Sequence, residues 1–164
     1  MASSTDRIEK RVVLRAPHER VWRAVSDAKE FGTWFGVEFA EPFTAGKRMT
    51  GTIVPTKVDP AVAKMQEPYS GATFEWSVET IEPMQRIAFR WHPFAIERDY
   101  DYSKEPTTLV VFELAEVAGG TELRITESGF DAIPIERRAK AFAANEGGWS
   151  HQAKLVEKYV ATFA

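Results

Sequence analysis

The chain has 164 residues, no cysteine, 44% hydrophobic and 12% aromatic content, and a net charge of −3. Without cysteine there is no disulfide framework and no thiolate nucleophile, and 24 Asp and Glu against 21 Lys and Arg leave no basic surface for a nucleic-acid backbone. No apolar run approaches the roughly 18 residues of a membrane span, and residues 1–6 show no secretory lead-in, so a cytoplasmic protein with no membrane partner is expected.

The first element is a strand over residues 8–14. Ile8, Lys10, Val12 and Leu14 alternate onto one face. Ala16-Pro17 then opens a short helix to Ser26, because proline is tolerated at the first helical position. A second short helix follows over about 28–34. Strands are expected at 37–43 and 48–54. Residues 55–71, rich in proline, read as a long loop with a short helix near 60–64, and loops of that length often carry a role.

Four strong strand patterns come next, at 72–81, 86–92, 109–117 and 121–128. Phe74, Trp76 and Val78 share a face in the first of them. Ile87, Phe89 and Trp91 share one in the second. Val110, Phe112 and Leu114 do so in the third, and Leu123 and Ile125 in the fourth. Ala118-Gly119-Gly120 is a hairpin turn. The chain closes with a helix over 134–144, Asn145 as a cap, and a longer helix over 149–163. Trp149, Leu155, Val156 and Tyr159 lie on the apolar arc of that helix. Strands grouped together, followed by a long amphipathic helix, imply an α+β fold with an antiparallel sheet. Residues 1–164 read as one domain.

Several short signatures run through nearly the whole chain. They are Ala16-Pro17 with Val21-Trp22 and Ser26-Asp27, Phe31 with Trp34-Phe35, and Ile81-Glu82-Pro83 followed by Ile87-Ala88-Phe89-Arg90-Trp91. Farther on are Val110-x-Phe112-x-Leu114, Gly120-Thr121-x-Leu123, Glu127-Ser128-Gly129-Phe130 and Gly148-Trp149. In this order they resemble the Activator of Hsp90 ATPase homologue-like family of the START-like (SRPBCC, Bet v 1-like) superfamily. The resemblance implies a helix-grip fold: a curved antiparallel sheet of about six to seven strands wrapped around a long C-terminal helix, with two short helices after the first strand. It also implies a cavity for an apolar ligand between sheet and helix. The eukaryotic co-chaperone of this family carries a separate Hsp90-binding N-terminal domain, to which nothing in these residues corresponds.

The aromatic residues offer two readings, pocket walls or packed core. Phe74, Trp76, Phe89, Trp91, Phe112 and Trp149 fall on inward faces, Phe130 follows the last strand, and Trp34 and Phe39 lie around the second helix. Val156 lies on the inward arc of the last helix. Gln152 is the one polar side chain inside that arc. Glu127 continues the inward alternation of Leu123 and Ile125. A buried polar group needs a partner, either a ligand or a side chain such as Arg90 or Arg124.

His18 and His151 are expected at the surface and His92 at a strand end. No histidine spacing suggests a metal, and Glu97, Asp99 and Asp101 read as a solvated loop. There is no phosphate-binding glycine loop and no nucleophile elbow, so no cofactor and no catalytic residue is assigned. The leading expectation is a non-enzymatic binding domain for a small hydrophobic or amphipathic molecule, as monomer or homodimer. The alternatives are a co-chaperone-like module with a chaperone as partner, and a cyclase- or hydrolase-type enzyme in which Glu127 is the visible base.

Overall fold

Alternating side chains do build the sheet. A computed structural model describes residues 7–92 and 105–162. Its elements are β1 (Arg7–Leu14), α1 (His18–Ser26), α2 (Ala28–Phe35), β2 (Val37–Phe39), β3 (Arg48–Ile53), α3 (Pro60–Gln66), β4 (Thr73–Glu82), β5 (Arg86–Trp91), β6 (Thr108–Val117), β7 (Gly120–Ser128) and α4 (Ile135–Thr162). The seven strands form one antiparallel sheet in the order β1-β7-β6-β5-β4-β3-β2. This is the expected α+β helix-grip arrangement.

The strands turn their largest apolar residues to one side. Ile8 and Leu14 of β1, Trp76 and Val78 of β4, Ile87 and Phe89 of β5, and Val110 and Phe112 of β6 are buried. Lys10 shares that face of β1, and its ammonium is met by Glu146 of α4 at 2.6 Å. A register shift between Val78 and Thr80 bends the β4–β5 pair.

Asp27 sets the angle between the two short helices. Its backbone N–H closes α1 on Arg23, and its carboxylate caps α2 by accepting from the N–H groups of Lys29 and Glu30. Helix α2 buries Ala28, Phe31, Gly32, Trp34 and Phe35, so it lies inside the bend of the sheet. Gly36, at φ 95°, ends it in the left-handed region and lets the chain reverse into β2. Helix α3 starts at Pro60, capped by Asp59, and a 3₁₀ turn over Glu67–Tyr69 follows it.

The structure corrects several expectations. The C-terminal helix is continuous from Ile135 to Thr162, with Asn145, Gly147 and Gly148 inside it. Packing against the sheet overrides the local breaking signals there. The strand expected over 37–43 ends at Phe39, and Phe43 is buried from a loop. His18 is half-buried rather than exposed. Its Nε2 meets the Met84 carbonyl, and its Nδ1 lies 3.4 Å from Glu116. The acidic residues at 97–101 and Phe163 lie outside the described residues. Among the described residues no helix is long and apolar enough to cross a membrane.

Candidate functional site

Among the described residues of the strands, Glu127 is the carboxylate buried on the inward face of the sheet, and β7 places it there by parity. Glu127 pairs with Ile8 on one side and Val110 on the other. Thr108 lies two residues before Val110 on the same face, opposite Trp91 of β5. Asn145 and Trp149 stand one turn apart on α4, so both project from one helix face toward the sheet.

These four side chains all donate to Glu127, which is fully buried. Its Oε2 accepts from Trp91 Nε1 at 2.7 Å and Thr108 Oγ1 at 2.5 Å. Its Oε1 accepts from Asn145 Nδ2 at 2.8 Å and Trp149 Nε1 at 2.7 Å. A carboxylate offers about four lone-pair directions, and all of them are taken. Among the described residues no cation takes part. The partners anticipated from sequence are elsewhere: Arg90 pairs with Glu79, and Arg124 with Glu9 and Glu122, on the outer face. Held this way, Glu127 ties three strands to α4 and has no free acceptor for a substrate proton.

Beside this tie lies a layer of rings. Phe31 of α2 is its centre, 4.8 Å from Trp34, 5.8 Å from Trp76 and 5.7 Å from Phe112 between ring centroids. Trp76 meets Phe89 at 4.3 Å and Trp91 at 5.3 Å, and Trp91 meets Trp149 at 5.9 Å. The space between sheet and helix is therefore filled by rings, largely edge to face, the arrangement the ring quadrupole favours. Trp34, Trp76, Phe89, Phe112 and Val156 are fully buried, and Trp149 nearly so. Phe39, Phe74 and Trp91 are half-buried and form the outer rim of the layer. Phe130 is buried but packs on Phe142, 5.2 Å away, apart from the other rings.

Two polar atoms of this layer have no hydrogen-bond partner among the described residues. They are Trp76 Nε1, a donor, and Gln152 Oε1, an acceptor. Trp34 Nε1, by contrast, donates to the Ala24 carbonyl at 2.9 Å. Phe35 lies against both residues. Its ring lies 6.2 Å from that of Trp76, and its carbonyl accepts from Gln152 Nε2 at 3.1 Å. The same carbonyl also accepts from Gln66 Nε2 at 3.1 Å, which seats α3 on the end of α2.

Among the described residues no lysine, arginine or histidine is buried, and no three His, Asp or Glu side chains gather as metal ligands. Two surface clefts lie away from the ring layer. One is lined by Arg15, His18, Glu116 and Gly120, the other by Arg7, Lys10, Phe142 and Glu146. At the far end of α4, Tyr159 donates to Glu30 at 2.9 Å, under the Arg20 guanidinium. Burial, then the Glu30 carboxylate, pushes the Tyr159 phenol up to about 12.

Sequence reasoning missed Thr108, Phe31 and Gln66 as parts of this site, and it read Asn145 only as a helix cap. The spacing of Asn145 and Trp149 carried the signal for Asn145, but only in an unbroken helix.

The fold is shared widely. A protein from Mesorhizobium loti, MLL2253, is 18% identical over 96% of this chain and 98% of its own, with a TM-score of 0.69. A protein from Arthrobacter aurescens is 17% identical over 99% of this chain and 91% of its own, at 0.72. DynU16, a protein in the dynemicin biosynthetic locus, is 24% identical at 0.67, and this chain spans 48% of its length. No curated protein sequence matches. Residues 15–161 match the family described as Activator of Hsp90 ATPase homolog 1-like protein. That match takes in α1, the rings of α2, the Glu127 tie and nearly all of α4, and the chain belongs to this family.

Proposed function

We propose that residues 1–164 form one START-like domain that binds a small, uncharged, largely apolar molecule at the ring layer between α2, β4–β5 and α4. The observation that carries this reading is the pair of unpartnered polar atoms, Trp76 Nε1 and Gln152 Oε1. Each buried group left unpaired costs about 1–3 kcal/mol, and native interiors rarely keep such groups without a reason. A ligand carrying an acceptor for Trp76 and a donor for Gln152, such as a hydroxyl or an amide, supplies both missing bonds. An anionic ligand finds no buried cation among the described residues, and a cationic one finds Glu127 saturated. Phe39, Phe74 and Trp91, being half-exposed, are the rings through which a ligand reaches Trp76 and Gln152. The dynemicin locus of DynU16 is compatible with a small-molecule ligand. Glu127 serves as scaffold in this reading, which favours binding over acid–base chemistry.

Native mass spectrometry of the purified protein, against its denatured mass, is the first test. A co-purifying neutral molecule released on denaturation supports the proposal. The second test compares 1-naphthol with naphthalene by tryptophan quenching. The hydroxyl compound is expected to bind about five- to tenfold more tightly, the worth of one hydrogen bond. Trp76→Phe keeps a ring and deletes the N–H, so it should shrink that margin. A bare protein that binds neither compound would refute the reading, and recovery of a chaperone with it would favour the co-chaperone alternative.

A further inference from the structure

Helix α4 contains two consecutive glycines, Gly147 and Gly148, near its middle. Each glycine weakens a helix about four- to fivefold relative to alanine. Among the described residues close packing does not explain them, because a Cβ built on either meets no atom within 4 Å. Gly32 shows the contrast: a Cβ there would meet the Val37 carbonyl oxygen at 2.1 Å.

The two halves of the helix are held differently. After the glycines, Trp149, Leu155, Val156 and Tyr159 are buried. Before them, Ala141 is the one fully buried side chain, Phe142 is half-buried on Phe130, and Ile135 is 75% exposed. The other anchors of that half are polar. Arg137 grips Glu105 at 2.7 Å, Glu146 holds Lys10 at 2.6 Å, and Asn145 donates to Glu127 at 2.8 Å.

We infer that α4 is two half-helices jointed at Gly147–Gly148, and that the first half swings from β1 and Phe130 to widen the ring layer at its Trp91 edge, where Trp91 shares Glu127 with Asn145. Glu127 Oε1 reads the joint, because its two donors lie on opposite sides of it. Bending removes Asn145 and leaves Trp149 in place. One acceptor site of a buried carboxylate is then freed beside Trp91 and Trp149, ready for a hydrogen-bond donor. What the gate admits rests on the binding reading above, whereas the joint itself does not.

Amide hydrogen exchange on the ligand-free protein tests the joint. Amides of residues 139–150 should share one opening equilibrium, with a step of at least about tenfold to stronger protection over 152–160. In Gly147→Ala/Gly148→Ala the opening should fall about 20-fold, and the step should dissolve into a gradient. Protection rising evenly from 139 to 160 in the unaltered protein would overturn the joint, as would a step that survives the two alanines. Stopped-flow association of 1-naphthol tests the gate. Its rate should fall with the opening in the alanine pair. An unchanged rate with a slowed joint would overturn the gate while leaving binding intact. Absence of naphthol binding would count against the site and leave the exchange result to decide the joint.

Discussion

Replacing Glu127 by glutamine keeps the shape and deletes the charge. The new amide has one carbonyl oxygen, with two acceptor directions, and an NH₂ that can only donate. Thr108 can turn its hydroxyl and accept from that NH₂, so the amide nitrogen should take the Oε2 side. Trp91 on that side then loses its acceptor, while Asn145 and Trp149 keep theirs. One hydrogen bond to a charged group, worth about 1.5–3 kcal/mol, is lost, and two others weaken to the ordinary ~1 kcal/mol. Relief from burying an ion offsets part of this, because removing a buried charge from water costs several kcal/mol. The expected net loss is about 2 kcal/mol, which lowers the urea midpoint by about 1 M at a slope near 2 kcal/mol/M. The indole N–H resonance of Trp91 should move toward its solvent-exposed position, and that of Trp149 should stay. A midpoint that holds or rises would mean that burying the charge costs more than four neutral donors return, and the account of Glu127 as a tie would be wrong.

Gly32→Ala drives a Cβ into the Val37 carbonyl oxygen, 2.1 Å away in the undisturbed structure, and must part α2 from β2. A loss of about 3–4 kcal/mol is expected by urea unfolding, against a typical surface change of at most about 0.5 kcal/mol, and a loss under ~1 kcal/mol would contradict the close approach. Tyr159 supplies a pH test. Its raised phenol favours the protonated form in the folded state, so its contribution is intact below pH 10 and is lost as pH rises toward about 12. Unfolding at pH 8 and at pH 11 should therefore differ more in the natural protein than in Tyr159→Phe, and equal differences would remove Tyr159 as the cause.

The sheet was legible in the sequence because alternation reports burial directly. Trp76, Val78, Ile87, Phe89, Val110, Phe112, Leu123 and Ile125 all fall on the face that the pattern assigns them. The helix was harder to read, because Asn145, Gly147 and Gly148 carry the local marks of a terminus. Whether a helix survives such marks is decided by what it packs on, here Phe130, β1 and the Glu127 tie. Glu127 was legible as an inward acid, but its partners were not. Strand parity already separates it from Arg124, three residues away and hence on the opposite face. Its four donors come from β5, β6 and α4, and only the assembled register brings them together. The orphaned atoms of Trp76 and Gln152 are invisible in a sequence, since an unmade bond leaves no pattern there.

The strand order carries a consequence for how the chain is made. Strands β2 to β7 follow one another across the sheet, so each can zip onto its predecessor as it emerges. Strand β1 cannot, because its neighbour is β7, and Leu14 waits for Thr121 while Ile8 waits for Glu127. Closing a loop of that length costs little more in entropy than closing one half as long, but it comes late, since long-range pairs are slow to find each other. On the ribosome, the buried side of residues 7–14 therefore stays open until β7 has been synthesised. The last strand to arrive then brings the carboxylate on which the final helix docks.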